Sequence, residues 1–222
     1  MDRPQPVTRE LECDLANLRS FNRWFGGHRL VRHFLRCWLR PNGKARILDV
    51  ATGSGDIPRL IVDHARRQNV SVHIDAIDQQ ASTIEIARGL SVAYPEIDFY
   101  CADLFEWNLP ELYDIVLCSL TLHHFSNDGA VRVLQKVREL SIARILVADL
   151  RRARWLTCAV YLVTATIYRD EMTKTDARLS AARAFNFGEM RELAERAGWR
   201  NFGHQKFGVG RQAIWIESSS RA

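Results

Sequence analysis

The chain lacks the marks of an oxidised, metal-stapled or membrane-spanning protein. Its 222 residues hold five cysteines, Cys13, Cys37, Cys101, Cys118 and Cys158, an odd number with no Cys-x-x-Cys spacing. That pattern argues against a disulfide framework or a zinc ribbon and suits reduced thiols in a cytoplasmic protein. The N-terminus is polar and proline-bearing, without the apolar core of a secretory signal. The apolar run from Trp155 to Tyr168, at roughly fourteen residues, falls short of the ~20 that cross a bilayer and reads as a buried or lid helix. There is no internal repeat, low-complexity tract or long linker. A one-signed tract is missing too, because the net charge of +5 is dispersed along the chain. The densest basic group, Arg29, Arg32, His33, Arg36 and Arg40, alternates with an apolar stripe of Leu30, Val31, Phe34, Leu35 and Trp38. This describes an amphipathic helix with a solvated face, so no nucleic-acid partner is expected.

What the chain does have is 47% hydrophobic composition, enough for one sizeable core. Strand-like and helix-like segments alternate, which predicts an α/β fold with a parallel sheet and right-handed crossovers. The first strand, around Ile47, Leu48, Asp49 and Val50, runs into Ala51-Thr52-Gly53-Ser54-Gly55-Asp56 and then a helix. Gly53 and Gly55 permit positive φ and close approach of backbone to a ligand, and the N–H groups opening the helix can meet that ligand. A dinucleotide fingerprint would want a third glycine where Pro58 stands. Val72-His73-Ile74-Asp75-Ala76-Ile77-Asp78 follows as a second strand, its terminal Asp78 placed to accept hydrogen bonds from ribose hydroxyls. Ser82-Thr83-Ile84-Glu85 reads as a capping box opening the next helix. A third strand ends before Asp103-Leu104, a fourth runs from Tyr113 through Ser119 into Leu122-His123-His124, and a fifth ends at Asp149. Past Gly198, Gln205–Phe207 and Gln212–Ile216 flank a glycine turn and predict a closing hairpin.

From the glycine turn to Asp149 these motifs resemble the class I S-adenosylmethionine (SAM) methyltransferases, most closely those of ubiquinone and menaquinone biosynthesis and, more loosely, small-molecule enzymes of bacterial secondary metabolism. Asp49 resembles the acid that opens their motif I, and Ala51 departs from it by replacing the first glycine. The resemblance implies a Rossmann-like, doubly wound, seven-stranded sheet with an antiparallel C-terminal strand. It also implies a helical lid over residues 1–42, a methyltransferase domain over 43–222 and a lid insertion at about 151–185. SAM is the implied cofactor, becoming S-adenosylhomocysteine (SAH). The implied cofactor contacts are Asp49, Ala51, Thr52, Gly53, Ser54, Gly55, Asp78, Gln79, Asp103 (toward the adenine amino group), Leu104 and Ser119.

Methyl transfer is an in-line displacement that often needs a proton removed from the acceptor. His124 is the first candidate for that base, with His123 beside it and Asp149 as a further acceptor on the same rim. Arg151 could hold an acidic or phenolate group. Trp24, Phe25, Trp155 and Tyr161 are expected to cover a hydrophobic, aromatic, quinone-like or polyketide-like substrate, with core or homodimer packing as their alternative use. No metal is expected, since Asp149 is followed by Leu150 rather than another oxygen ligand. The competing readings are an RNA or protein methyltransferase, a nicotinamide oxidoreductase and a non-catalytic nucleoside binder. The first has against it the lack of an Asn/Asp-Pro-Pro-aromatic loop after the fourth strand and of a proline before Cys118.

Overall fold

A computed structural model describes residues 6–108, 111–153, 171–208 and 210–217. Two helices, α1 (Arg9–Trp24) and α2 (Gly27–Trp38), precede β1 (Lys44–Val50), α3 (Asp56–Arg67), β2 (Ser71–Asp78), α4 (Ala81–Leu90), β3 (Ile97–Cys101) and β4 (Tyr113–Ser119). A 3₁₀ turn over Leu122–His124 leads into α5 (Asn127–Glu139) and β5 (Ser141–Leu150). After them come α6 (Glu171–Arg183), α7 (Phe187–Arg196), β6 (Gly203–Phe207) and β7 (Arg211–Glu217).

The strands form one seven-stranded sheet in the order β3-β2-β1-β4-β5-β7-β6. The first five are mutually parallel, and β7 runs antiparallel between β5 and β6. This is the expected doubly wound fold with its closing hairpin. The strand pattern explains why the central strands read as unbroken apolar runs: successive side chains go to opposite faces and both faces are covered. Ile47, Ile74, Ile115 and Leu146 join one core with α2, α3 and α4. Leu48, Ile77, Val116 and Ile145 join a second core with α5 and α7. Burial of each such side chain contributes about 1.5–3 kcal/mol. On α2 the stripe Leu30, Val31, Phe34, Leu35 and Trp38 is buried and the basic residues face outward.

One local expectation fails. Helix α4 begins at Ala81 with Gln80 as its N-cap and no side-chain cap, and Ser82 is buried. Asp78 Oδ1 accepts the Gln80 N–H at 3.0 Å, and the N-cap lies two residues earlier than a Ser82 box would place it. The capping box that does form is on α7, between Asn186 and Glu189.

The described cysteines, Cys13, Cys37, Cys101 and Cys118, are free thiols. No described helix is long and apolar enough to cross a membrane. The run from Trp155 to Tyr168, with the predicted substrate residues Trp155 and Tyr161, lies outside the described residues.

Candidate active site

Strand order reverses between β1 and β4, and a ligand crevice opens beyond the carboxyl ends of strands at such a switch point. Here that crevice is a cavity of about 460 Å³, within the size range of ligand pockets.

Its floor is the turn after β1. Ala51 takes φ +54°, Gly53 φ +55° and Gly55 φ +72°, so the alanine in the place of the first glycine adopts the left-handed conformation the turn demands, at some cost in strain. The two glycines serve different ends. A Cβ on Gly53 would meet nothing within 4 Å, whereas one on Gly55 would lie 2.9 Å from the Phe99 ring. Gly53 borders the cavity, and Gly55 lets α3 pack against β3 without being a wall residue itself. Arg59 holds the turn from behind, donating to the Ser54 carbonyl and to Ser91 Oγ, each at 2.8 Å.

Asp78, Gln79, Leu104 and Ser119 line the cavity together with Asp49, Ala51, Thr52, Gly53 and Ser54. Asp78 Oδ2 accepts the Gly53 N–H at 3.0 Å, tying the second strand's acid to the glycine turn. Burial raises its carboxyl above the ordinary value despite its two backbone hydrogen bonds. Asp103 departs from its expected place: its Oδ1 accepts the Phe105 N–H at 2.8 Å, closing a turn, and its neighbours Ala102 and Leu104 form the wall instead.

The histidines divide their roles. His123 is buried, with Nδ1 2.7 Å from Asp149 Oδ1, and its backbone N–H donates to Asp149 Oδ2 at 3.0 Å. The parallel register that sets Ser119 beside Ala148 brings the ends of β4 and β5 together and makes this pair. Burial pushes the Asp149 carboxyl up, but the His123 ring and hydrogen bonds from His123 and Leu150 more than offset it, so it lies below the ordinary value. An ionised Asp149 orients Nδ1–H toward itself and leaves Nε2 as the ring's acceptor nitrogen. His123 and His124 both line the cavity, but His124 is exposed and its ring is tilted by 35° against the His123 ring at 4.4 Å between centroids. Asp149 is thus paired with His123, and His124 stands outside that pair on the exposed side.

The cover differs from expectation. Trp24 is 79% exposed, and neither it nor Phe25 is among the wall residues. Helix α1 turns Leu15, Leu18, Phe21 and Asn22 to the cavity instead, and α6 contributes Ser180 and Ala181. Leu11, Leu15, Leu18 and Asn22 recur at helical spacing, a signal available in the sequence. Asn22 Nδ2 and His28 Nε2 approach Asp56 Oδ2, at 2.9 and 2.7 Å, and latch the N-terminal helices to the first residue of α3. Arg151 is on the wall, as expected, and so is Arg211, a residue the motifs did not indicate.

Three oxygens in the cavity wall are buried and under-satisfied: Ser119 Oγ has no hydrogen-bond partner, and Asp49 Oδ2 and Thr52 Oγ1 have none of good geometry beyond the approach of the Thr52 hydroxyl to the Asp49 carboxyl. Burial, with Asp56 and Asp78 nearby, pushes Asp49 up to about 7. Under-satisfied polar atoms and a desolvated acid beside two further carboxylates fit a polar ligand that carries positive charge. Among the described residues, one group of metal-type donors, His73, Asp75 and Asp98, lies on β2 and β3 outside the cavity wall, and Arg46 and Tyr113 already engage Asp75.

A seven-stranded sheet of this order, with a glycine turn after β1 and an acid ending β2, is the class I methyltransferase architecture. Residues 47–141 match the family model described as a methyltransferase domain. Residues 47–141 thus carry a methyltransferase domain within a class I fold, and SAM is the cofactor of that class. The under-satisfied oxygens and acidic floor described above suit that cationic sulfonium ligand. Among solved structures, the plantazolicin methyltransferase BpumL, in complex with a monoazolic desmethylPZN analog and SAH, is similar over 95% of this chain and 90% of that one, at 13% identity and a TM-score of 0.69. A SAM-dependent methyltransferase from Aquifex aeolicus is similar over 92% of this chain and 96% of that one (16% identity, TM-score 0.66). Human N-acetylserotonin methyltransferase, in complex with SAM, is similar over 95% of this chain and 56% of that one (16%, 0.68). At these identities the likeness is one of fold. No curated protein matches the sequence significantly.

Proposed function

We propose that the enzyme methylates an oxygen or carbon of a hydrophobic aromatic, quinone-like or polyketide-like small molecule, with His123 as general base. The observation that carries this reading is the buried His123–Asp149 pair, whose histidine lines a cavity that α1 and α6 cover with Leu15, Leu18, Phe21 and Ala181. A cavity roofed by two helices that pack on each other suits a small acceptor better than a polymer. In this reading residues 1–42 and about 151–185 form the lid, and 43–222 the catalytic domain.

Asp49, Ala51, Thr52, Gly53, Ser54, Asp78, Gln79, Leu104 and Ser119 would hold the cofactor, which supplies a methyl carbon bonded to a sulfonium. His123 Nε2 takes the acceptor's proton as the methyl bond forms, and Asp149 stabilises the resulting imidazolium through Nδ1. The apolar faces of α1 and α6 exclude water and hold the acceptor in line.

The test is His123→Gln in the full chain, assayed by methyl transfer to a library of aromatic and polyketide-like acceptors and by SAH calorimetry. Turnover should fall about 10²- to 10⁴-fold while SAH affinity stays within twofold. His124→Gln should keep most of its turnover. A His123→Gln enzyme with wild-type turnover would overturn the assignment.

A further inference from the structure

Arg211 opens β7, beside Leu150 in the β5–β7 register, so the antiparallel strand delivers its first side chain to the rim where β5 ends in Asp149. The residue is 3% exposed and lines the cavity. Its hydrogen bond among the described residues is a long one, from Nε to the Phe25 carbonyl at 3.3 Å. The two terminal nitrogens, with four N–H donors, have no acceptor among the described residues.

The neighbouring acids do not neutralise it. Asp149 and Asp56 attract Arg211 at a distance, and burial still lowers its pKa to about 10. Asp149 is committed to His123 and the Leu150 N–H, and Asp56 Oδ2 to Asn22 and His28. Across the β5–β7 pair, Arg151 donates its backbone N–H to Gly210 and reaches the same wall, with its Nε buried and without a partner. Two guanidinium groups thus face one cavity with donors to spare. A buried cation is costly unless an anion meets it, and the planar fork of arginine matches a carboxylate.

We propose that Arg211, with Arg151, binds a carboxylate of the methyl acceptor, so that the substrate is a hydrophobic small-molecule acid. The proposal rests on the small-molecule reading above and narrows it. Asp49, Asp56 and Asp78 line the cavity beside the glycine turn, and Arg151 and Arg211 line it on the rim near His123.

The experiment uses the full chain saturated with SAH and titrated calorimetrically with matched pairs, 1-hydroxy-2-naphthoate against 1-hydroxy-2-naphthamide and a panel of aromatic and aliphatic hydroxy acids against their amides. At least one acid should bind about tenfold to a hundredfold more tightly than its amide, the range for hydrogen bonds to charged groups. Arg211→Met should erase that preference with SAH affinity unchanged, and Arg211→Lys should restore part of it. If Arg211→Met does not fold, phenylglyoxal labelling of the wild-type protein replaces it, and the preferred acid, not its amide, should protect Arg211. Equal binding of every acid and its amide would overturn the proposal alone. A loss of SAH affinity in folded Arg211→Met would overturn it in favour of the cofactor's own carboxylate. An SAH complex that binds neither acids nor amides would overturn the small-molecule reading as well.

Discussion

Asp49 ends β1 fully buried, and its carboxyl is pushed up to about 7 from an ordinary value of 3.8. A folded-state value above the unfolded one means that the folded chain holds a proton the unfolded chain releases. This contribution to stability is full below about pH 4 and is lost as pH rises to about 7. A cationic ligand reverses the preference, because it favours the ionised acid. SAM affinity should therefore climb between pH 6 and 8 with release of a proton, measurable by calorimetry in buffers of different ionisation enthalpy, and Asp49→Asn should bind SAM weakly with a flat profile. A wild-type affinity independent of pH over that range would count against Asp49 facing the ligand's charge. At the neighbouring turn, Gly55→Val would drive a side chain into the Phe99 ring at a residue with φ +72°, so it should abolish SAH binding while leaving most of the helical circular dichroism. Asp49, Gly53 and Asp78 could be placed on the cavity wall from sequence because each stands at or just past the end of a strand at a motif position. The sequence did not reveal which histidine meets Asp149, since that depends on the register of β4 against β5, nor Arg211, whose place depends on a strand inserted out of order.

Helix α1 shows why the cover was harder to read than the floor. Aromatic content drew attention to Trp24 and Phe25, but these stand at the helix end, where Trp24 faces water and Phe25 stacks on Phe21 with centroids 4.1 Å apart. Periodicity, not aromaticity, identifies the face that turns inward. That face is fixed by a polar contact: Asn22 reaches Asp56, and a Cβ on Gly27 would overlap Asn22 Oδ1 at 1.5 Å. Gly27→Ala should push Asn22 away from Asp56 and cost about 1–3 kcal/mol, the price of leaving a buried polar partner unmet. Urea unfolding would measure it, and a variant as stable as wild type would show that α1 docks through its leucines alone. The sheet itself was legible, because strands covered on both faces leave unbroken apolar runs that no local cap or turn can disguise.

At the scale of the whole molecule, cofactor and fold are thermodynamically linked, since the ligand crevice exists only beyond the carboxyl ends of β1 and β4 once these pair in the assembled sheet. SAH at a hundred times its Kd should add about 2.7 kcal/mol, which for a chain of this size corresponds to a rise in Tm of roughly 5–10 °C. NAD at the same concentration should give none, and a rise with NAD equal to that with SAH would contradict the cofactor assignment. The sheet order also bears on synthesis. Strand β5 spans Ser141–Leu150, and the strand that covers its outer edge, β7, spans Arg211–Glu217. At about 5–20 residues per second, the ribosome takes roughly 3–12 s to make the intervening chain. Throughout that interval the emerging polypeptide carries an apolar strand, Ile145-Leu146-Val147-Ala148, with one row of N–H and C=O groups unpaired, a template for pairing with other chains. Aggregation of nascent or truncated chains should thus depend on how soon β7 emerges, and a break in translation between β5 and β7 would be more hazardous than one of equal length before β4.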